Sequence, residues 1–294
     1  MADTLHVVIP FYNAAATMER TVRSLRCLDS PGNNPVNVIG IDDGSTDSSA
    51  VLFEKESAGL KGIQAVCLRK SNGGSGSARN HGLRTFADGW VLFLDADDEL
   101  ACDPRPFLGT APNATAHLFA SRFCRDGRTV STMIPRVPAA GRFPAGFTSR
   151  NPFLTTMVVF RRDVIETLFD ESLTYLEDWH FWAVNKSIFA RCSAHKDVCL
   201  GRVHLGERNK TGNVRKHGQY RALAAERIAS FWKDKLRRTD RNNLAIQRAI
   251  GHAMMGEPCG WSSFERLPCS PSLYAKLMIY AFLFPICRSL WPYR

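Results

Sequence analysis

The sequence predicts an α/β fold: a mostly parallel, twisted sheet with helices on both faces, followed by a basic, partly apolar helical extension. Through residues 5–100, apolar runs of strand length alternate with segments of helical spacing. Each run also ends in a polar group, at what would be the carboxyl end of a strand. Open α/β sheets build their sites there.

The first run, Leu5–Pro10, ends at Pro10-Phe11-Tyr12-Asn13. Met18, Val22 and Leu25 then give Thr17–Leu25 a helical period. Val36–Ile41 is the second strand, and Ser45 or Asp47 is placed to cap a helix through Val51–Lys55. Ile63–Leu68 is a third strand, Gly76–Phe86 a helix, and Trp90–Leu94 a nearly uninterrupted apolar strand. Strands apolar on both faces imply a sheet covered on two sides. Residues 101–150 are rich in Pro, Gly, Thr and Ser and read as loops with short sheet-extending strands. Beyond them, Thr156–Phe160 is strand-like, Arg162–Leu168 and Glu177–Phe189 are helical, and Val198–His204 reads as an edge strand. Lys216–Arg238 reads as a basic helix whose apolar stripe runs through Leu223, Ile228, Ala229, Trp232 and Leu236.

The 294 residues and 45% hydrophobic content suffice for one large domain with an appendage. Charged content of 22% argues against disorder. The N-terminus lacks the basic lead and apolar core of a signal peptide, which points to the cytosol. Nine cysteines without a CxxC pair predict reduced thiols rather than a disulfide framework or zinc ribbon. Residues 201–250 hold thirteen Lys or Arg against four Asp or Glu, and so carry nine of the ten net positive charges. That asymmetry suggests an acidic partner. The cations follow a helical face without interleaved aromatics, which favours an anionic membrane or phosphate-bearing substrate over nucleic acid. Near the end, Leu277–Phe284 is strongly apolar, with Lys276 and Arg288 flanking it and Trp291 and Tyr293 following. It is too short to span a bilayer, which needs roughly 20 residues. It reads either as a membrane-interface segment or as a helix packed on the core.

Several residues point to chemistry. Asp95-Ala96-Asp97 follows the buried strand Trp90–Leu94. One carboxylate there can accept a ribose hydroxyl while the other reaches Mg²⁺ or Mn²⁺, which prefer hard oxygen ligands. The wholly apolar strand and the companion motifs favour this over a solvated turn. Asp42 follows the second strand and can accept the N–H edge of a uracil-like base; Asp-Gly-Ser is also ordinary turn chemistry. Asn72-Gly73-Gly74-Ser75-Gly76 precedes a helix, where backbone approaches a ligand closely and negative charge is favoured. It is neither a Walker loop nor a dinucleotide fingerprint. Arg79 either faces a phosphate or, the favoured reading, pairs with an acid inside the fold. Asp178 opens a helix and can take a proton from an attacking hydroxyl, with Trp179 offering an apolar face to a sugar ring. His204 is a further candidate ligand for the Asp97 cation.

Together these residues resemble glycosyltransferase family 2, the inverting nucleotide-sugar transferases of GT-A fold. The resemblance rests on Val8-Ile9-Pro10-Phe11-Tyr12-Asn13, Asp42-Asp43-Gly44-Ser45-Thr46-Asp47, Asn72-Gly73-Gly74, Ala78-Arg79-Asn80-His81-Gly82-Leu83, and Asp88 through Asp98. Phe160-Arg161-Arg162, Phe169-Asp170-Glu171 and Glu177-Asp178-Trp179 continue it. It spans roughly residues 5–205 and implies a transferase domain over 1–212 with an extension over 213–294. It further implies that Pro10 and Tyr12 line a base pocket, that Asp42 meets the base, and that Gly74 lies near the nucleotide. Asp95 would meet the ribose, Asp97 a divalent cation, and Asp178 would be the general base. The expected activity is metal-dependent transfer from a nucleotide sugar, expected to be UDP-linked, to a lipid-linked or growing glycan, by a protein peripheral at the inner membrane face. Two alternatives are a nucleotidyltransferase and a non-catalytic membrane-associated binding protein. The first normally carries a Gly-rich basic loop where this chain has Phe11-Tyr12-Asn13-Ala14.

Overall fold

The computed structural model describes residues 3–29, 34–137, 145–206 and 213–255. They divide into two compact units. The first holds the described residues up to 137 with Pro152–Glu171 and Asn185–Leu205; the second holds 145–151, Ser172–Val184, 206 and 213–255. A segment that precedes residue 213 thus joins the C-terminal helices, instead of one cut at 212/213.

The first unit is built on a nine-stranded sheet. Its first half is β1 (Leu5–Phe11), β2 (Val36–Asp42), β3 (Ile63–Arg69) and β4 (Trp90–Phe93), joined by α1 (Ala15–Ser24), α2 (Ser49–Ser57) and α3 (Gly74–Leu83). These strands lie parallel in the order β3-β2-β1-β4. Strand alternation sorts the helices onto the two faces. Leu5, Val7, Ile9 and Phe11 share a core with Met18, Val22 and Leu25 from the α1 side and Phe53 of α2. Val8 points the other way, where a Cβ on Gly82 of α3 would come within 2.6 Å of its Cγ1. Only glycine lets α3 lie that close.

Beyond β4 the sheet is mixed. It adds β5 (Glu99–Leu100), β6 (Ala116–Arg125), β7 (Arg128–Met133), β8 (Val158–Arg161) and β9 (Cys192–His204), and a short helix α4 (Arg105–Leu108) lies between β5 and β6. The order continues β4-β8-β6-β9-β5, with β7 paired to β6. β8 runs antiparallel to both β4 and β6, while β9 runs parallel to β6.

Several expectations need correction. The 101–150 region contains a ten-residue strand, β6, whose first six residues are buried; its turn-forming neighbours masked it. Val198–His204 is no edge strand, because it belongs to a thirteen-residue strand flanked by β6 and β5. Arg162–Leu168 forms only a 3-10 turn over Arg162–Val164. The helix expected through Phe189 stops at Val184, where Asn185 leaves helical geometry and its amide binds the Glu166 and Thr167 N–H groups and the Thr167 carbonyl. β3 is an outer strand with largely exposed residues rather than one buried on both faces. Six of the nine cysteines are described, and all six are free thiols. Burial pushes Cys27 and Cys192 up to about 12.

The second unit comprises α5 (Ala145–Thr148), α6 (Glu177–Val184), α7 (Val214–Trp232) and α8 (Arg238–Met255). The basic helix expected to run to Arg238 ends at Trp232, and α8 was not foreseen. Its polar residues obscured its period. α7 and α8 cross at two glycines: a Cβ on Gly218 would lie 2.6 Å from the Gly251 carbonyl oxygen, and one on Gly251 would lie 2.8 Å from the Ala222 nitrogen. The expected tail, 277–284 with Trp291 and Tyr293, lies outside the described residues. Among those described, no helix is long and apolar enough to cross a membrane.

The α7–α8 crossing has a measurable consequence. Gly251→Val forces a side chain against backbone atoms that have no rotamer to yield. It is expected to destabilise the protein by about 1–3 kcal/mol, read as a lower denaturant midpoint by circular dichroism.

Candidate functional site

The first unit presents its polar groups at the carboxyl ends of adjacent strands. Phe11 and Asp42 are register partners at the ends of β1 and β2, with Tyr12 just beyond, 51% exposed. Asp95 follows β4 by two residues, and Leu94 N–H still donates to the Val8 carbonyl, so the turn at 95 begins where the ladder ends. Pro10 is buried within β1.

Two loops clasp one another above these ends. Asn13, at φ +50°, accepts the Thr46 N–H at 2.8 Å and donates its own N–H to the Ser45 hydroxyl at 3.0 Å. The Ala14 N–H reaches the Ser49 hydroxyl at 2.7 Å. Ser48, rather than Ser45 or Asp47, stands at the α2 N-cap, and Asp47 just before it serves the helix start: one of its oxygens accepts the Ser49 N–H at 3.0 Å and the other the Ala15 N–H at 3.1 Å. Gly44 sits at φ +81°, where its missing Cβ leaves room for the Asn72 backbone. The clasp positions Asp42, which is fully buried. Its Oδ1 accepts the Ser45 N–H at 2.7 Å. Its Oδ2 lies 3.5 Å from Arg69 Nε but accepts no hydrogen bond. A buried carboxylate oxygen without a donor costs free energy, which a ligand N–H would recover.

The glycine loop is arranged differently from expectation. The N–H groups of Gly73 and Gly74 donate to the Asp43 carboxylate, at 3.0 and 2.7 Å to its nearer oxygens, and Lys70 Nζ joins it at 2.7 Å. The negative charge favoured at the start of α3 is therefore supplied by Asp43 itself. Gly74 N–H serves the fold rather than an incoming anion. No local spacing reveals this role of Asp43, because its backbone partners lie 30 and 31 residues away.

Arg79 takes the pairing role. It is 3% exposed, its Nη2 donates to Asp95 Oδ1 at 2.7 Å, and its guanidinium lies 5.8 and 5.5 Å from the Phe93 and Phe169 ring centres. The Thr155 hydroxyl approaches Asp95 Oδ2 at 3.4 Å. The next turn is gripped by α1: the Thr17 and Thr21 hydroxyls donate to the Ala96 carbonyl, and Thr21 also reaches the Asp98 carbonyl. Asp97 is exposed, whereas Asp98 is buried. Burial, then the Asp97 and Asp95 charges, push Asp98 well above the usual carboxylate range. The His204 N–H donates to Asp98 Oδ1, and His204 Nε2 lies 3.1 Å from Glu99 Oε2. Glu99 also has Arg202 at 3.8 Å and Arg20 at 4.0 Å. The candidate ligand ring thus faces an acid that the sequence reading passed over. Among the described residues no group of three or more His, Cys, Asp or Glu is arranged to hold a metal.

Asp178 and Trp179 belong to the second unit. Asp178 Oδ2 accepts the Asn151 amide at 2.7 Å, and Oδ1 accepts the Trp179 N–H at 2.7 Å. Leu176, just before the helix, sits at φ +59°, a conformation that costs an L-residue energy and often marks a functional turn. Trp179 corrects the sequence reading. It is 1% exposed, and its Nε1–H donates to the Phe147 carbonyl at 2.6 Å. Its ring is core and has no free face for a sugar.

Comparison with known proteins decides the family. The family model described as glycosyl transferase family 2 matches residues 6–169, more than half the chain. The chain belongs to glycosyltransferase family 2. A curated relative, the amylovoran biosynthesis glycosyltransferase AmsB of Erwinia amylovora, is 38% identical over 96 residues, 32% of this chain and 30% of its own. The first curated relatives are matched over only 30–38% of their length. Among solved structures, S. aureus TarS 1–349 in complex with UDP-GlcNAc aligns with a TM-score of 0.61 at 19% identity, over 94% of this chain and 79% of that one. A mannosyltransferase from Pyrobaculum calidifontis in complex with GDP-Man and Mn²⁺ aligns at 0.57 and 18%, over 97% and 81%. At such identity these establish the shared GT-A-like fold.

α3, which carries Arg79, is tied to the segment after β8 by a pH-sensitive contact. Glu171 accepts the Asn80 amide at 2.9 Å and the Ser77 hydroxyl at 2.8 Å. The Asn80 bond first, then the Ser77 bond, hold its carboxyl below the usual range. A lowered folded-state pKa contributes stability above the unfolded value, about 4.3, and that contribution fades as pH falls through the folded value. Glu171→Gln is expected to flatten the loss of stability below about pH 4.3, measured as denaturant midpoint against pH.

Proposed function

We propose that this family 2 transferase moves a sugar from a UDP-linked donor to a lipid-linked or growing glycan, inverting the anomeric centre, with a divalent cation at Asp97. The observation that carries the donor reading is the buried Asp42 Oδ2, which lacks a donor at the strand end beside exposed Tyr12. A uracil-like N–H matches that acceptor, and Pro10 and Tyr12 would border the base. Asp95, steadied by Arg79, would accept a ribose hydroxyl. That one relative was solved with UDP-GlcNAc supports a nucleoside diphosphate sugar of this kind.

The cation reading rests on charge. Asp95, Asp97 and Asp98 crowd three carboxylates into four residues, and after burial, the larger cause, the Asp97 and Asp95 charges add to the raised proton affinity of Asp98. Mg²⁺ commonly binds through one or two carboxylates and completes its shell with substrate phosphates, a donor set that Asp97 fits. Such a cation neutralises the departing diphosphate. The Mn²⁺ complex of the mannosyltransferase supports it.

Asp178 would act as general base. Its carboxylate, steadied by Asn151, takes the proton of an acceptor hydroxyl as that oxygen attacks the anomeric carbon. The new C–O bond forms on the face opposite the breaking bond to the diphosphate, and the nucleoside diphosphate leaves. One displacement inverts configuration and needs no enzyme nucleophile. Asp178→Asn is expected to lower transfer about 100- to 10,000-fold, followed as UDP release, while UDP binding by calorimetry is unchanged. Full activity in that variant refutes the mechanism, and release of pyrophosphate would favour a nucleotidyltransferase.

The same reading places the protein at the cytosolic face of an anionic membrane, where lipid-linked acceptors reside. The α7–α8 turn supports this. Phe231 is 46% exposed, and Lys233, Lys235, Arg237, Arg238 and Arg241 are all exposed around it. Each basic residue near an anionic surface contributes about 1 kcal/mol. The full chain is expected to float with phosphatidylglycerol vesicles but not with phosphatidylcholine alone, and Lys235→Glu with Arg238→Glu should release it. Binding that tracks oligonucleotides instead would overturn the assignment.

A further inference from the structure

Burial of Trp179 leaves the acceptor without the aromatic surface that the sequence offered. The second unit holds another. Tyr175 and Tyr220 stack with ring centres 5.5 Å apart and planes inclined by 24°. Both are half-buried, so the pair is not part of the core. His217 meets Tyr175 edge-on at 6.1 Å and 82°. The Thr174 hydroxyl donates to the Tyr220 oxygen at 2.8 Å, which fixes the ring's orientation.

We propose that Tyr175 and Tyr220 form a stacking platform for a hexopyranose ring of the acceptor. The inference rests on the assignment of Asp178 as general base. A base must touch the acceptor hydroxyl, so acceptor must lie against the second unit near the start of α6. Tyr175 stands three residues before Asp178, and three peptide units reach about 10 Å at most, the span of a disaccharide. The turn at Leu176 lets consecutive stretches do both jobs, since the chain packs Tyr175 on Tyr220 of α7 and then starts α6 with Glu177 and Asp178.

The chemistry fits a sugar rather than a wholly apolar ligand. A pyranose offers C–H groups on its face and hydroxyls around its rim. Two tyrosines offer flat apolar area with little side-chain entropy to lose. Exposed Lys216 and Gln219 neighbour Tyr220 on α7, exposed Thr174 is hydrogen-bonded to it, and these side chains supply donors and acceptors for hydroxyls. His217 stays neutral near pH 7: burial, then Arg221, lowers it to about 4. It therefore adds an uncharged ring to the platform instead of a competing cation.

The test uses the full chain and chitotriose as probe, with saturation-transfer NMR for contact and titration for affinity. Wild type should transfer saturation to the sugar ring protons. Tyr175→Ala and Tyr220→Ala should weaken binding about tenfold, while Tyr175→Phe retains it and UDP binding is unchanged throughout. Tyr175→Leu and Tyr220→Leu keep apolar bulk without the aromatic face, so they give the same reading should the alanine variants unfold. No saturation in wild type, or wild-type affinity in the folded alanine or leucine variants, overturns the platform. Failure of the base assignment shows separately, as undiminished transfer by Asp178→Asn.

Discussion

One ion pair on a buried guanidinium holds the first unit's site together. Arg79 lies on α3, almost wholly out of water, and its Nη2 pairs at 2.7 Å with Asp95, just past the end of β4. Loss of Asp95 would take this charge partner from a guanidinium that lies out of water, which is costly, whereas Asp95 itself is partly exposed. The two phenylalanines against the guanidinium come from β4 and from the segment after β8, so the pair joins three separate stretches of chain. Asn80, the next residue, extends the joint with reciprocal hydrogen bonds to the Phe169 backbone. The candidate ribose carboxylate is thus oriented from behind before any ligand arrives.

That constraint explains how so acidic a turn is tolerated. Carboxylates at 95, 97 and 98 repel one another; burial first, and then the Asp97 and Asp95 charges, raise the proton affinity of Asp98. The fold offsets it with directed groups: Arg79 on Asp95, the His204 N–H on Asp98, and Arg20 donating to the Asp97 carbonyl. The α1 threonines hold the intervening carbonyls. Backbone and one carboxylate are therefore restrained, while the Asp97 side chain stands exposed. Local rules are obeyed everywhere in this turn except in its charge, and such a single violation is what a binding site tends to leave.

The parallel half of the sheet was legible because its signals are local. Apolar runs, glycines and strand-end acids all lie within a few residues of one another, and β1, β2 and β4 formed within two residues of the expected limits. The mixed half was not. β6 is a buried strand, but Ser121, Arg122 and Arg125 break its apolar pattern, and its burial comes from β8 and β9, distant in sequence. Positions at the site followed the same division. Asp42 and Asp95 could be placed from their strands alone. Gly74, Trp179 and His204 depended on partners that no spacing reveals: a carboxylate thirty-one residues away, the Phe147 carbonyl, and Glu99 across a strand pair.

Trp179 shows why the second unit needs its aromatic residues inside. α6 spans eight residues, and all but Asp178 are buried. A helix enclosed almost all round has no solvent face to slide toward, so neighbours fix it in rotation as well as in position. Trp179 anchors it to the Phe147 carbonyl, and Trp232 of α7 donates to the Ala183 carbonyl near its other end. Asp178 is then the one partly exposed side chain on a fixed rod, with Asn151 and its own helix N–H orienting the carboxylate. A proton acceptor must be held to within a fraction of an ångström to serve a transition state. The tryptophan whose place beside Asp178 suggested a face for sugar would, under the proposed role of Asp178, support that precision from beneath.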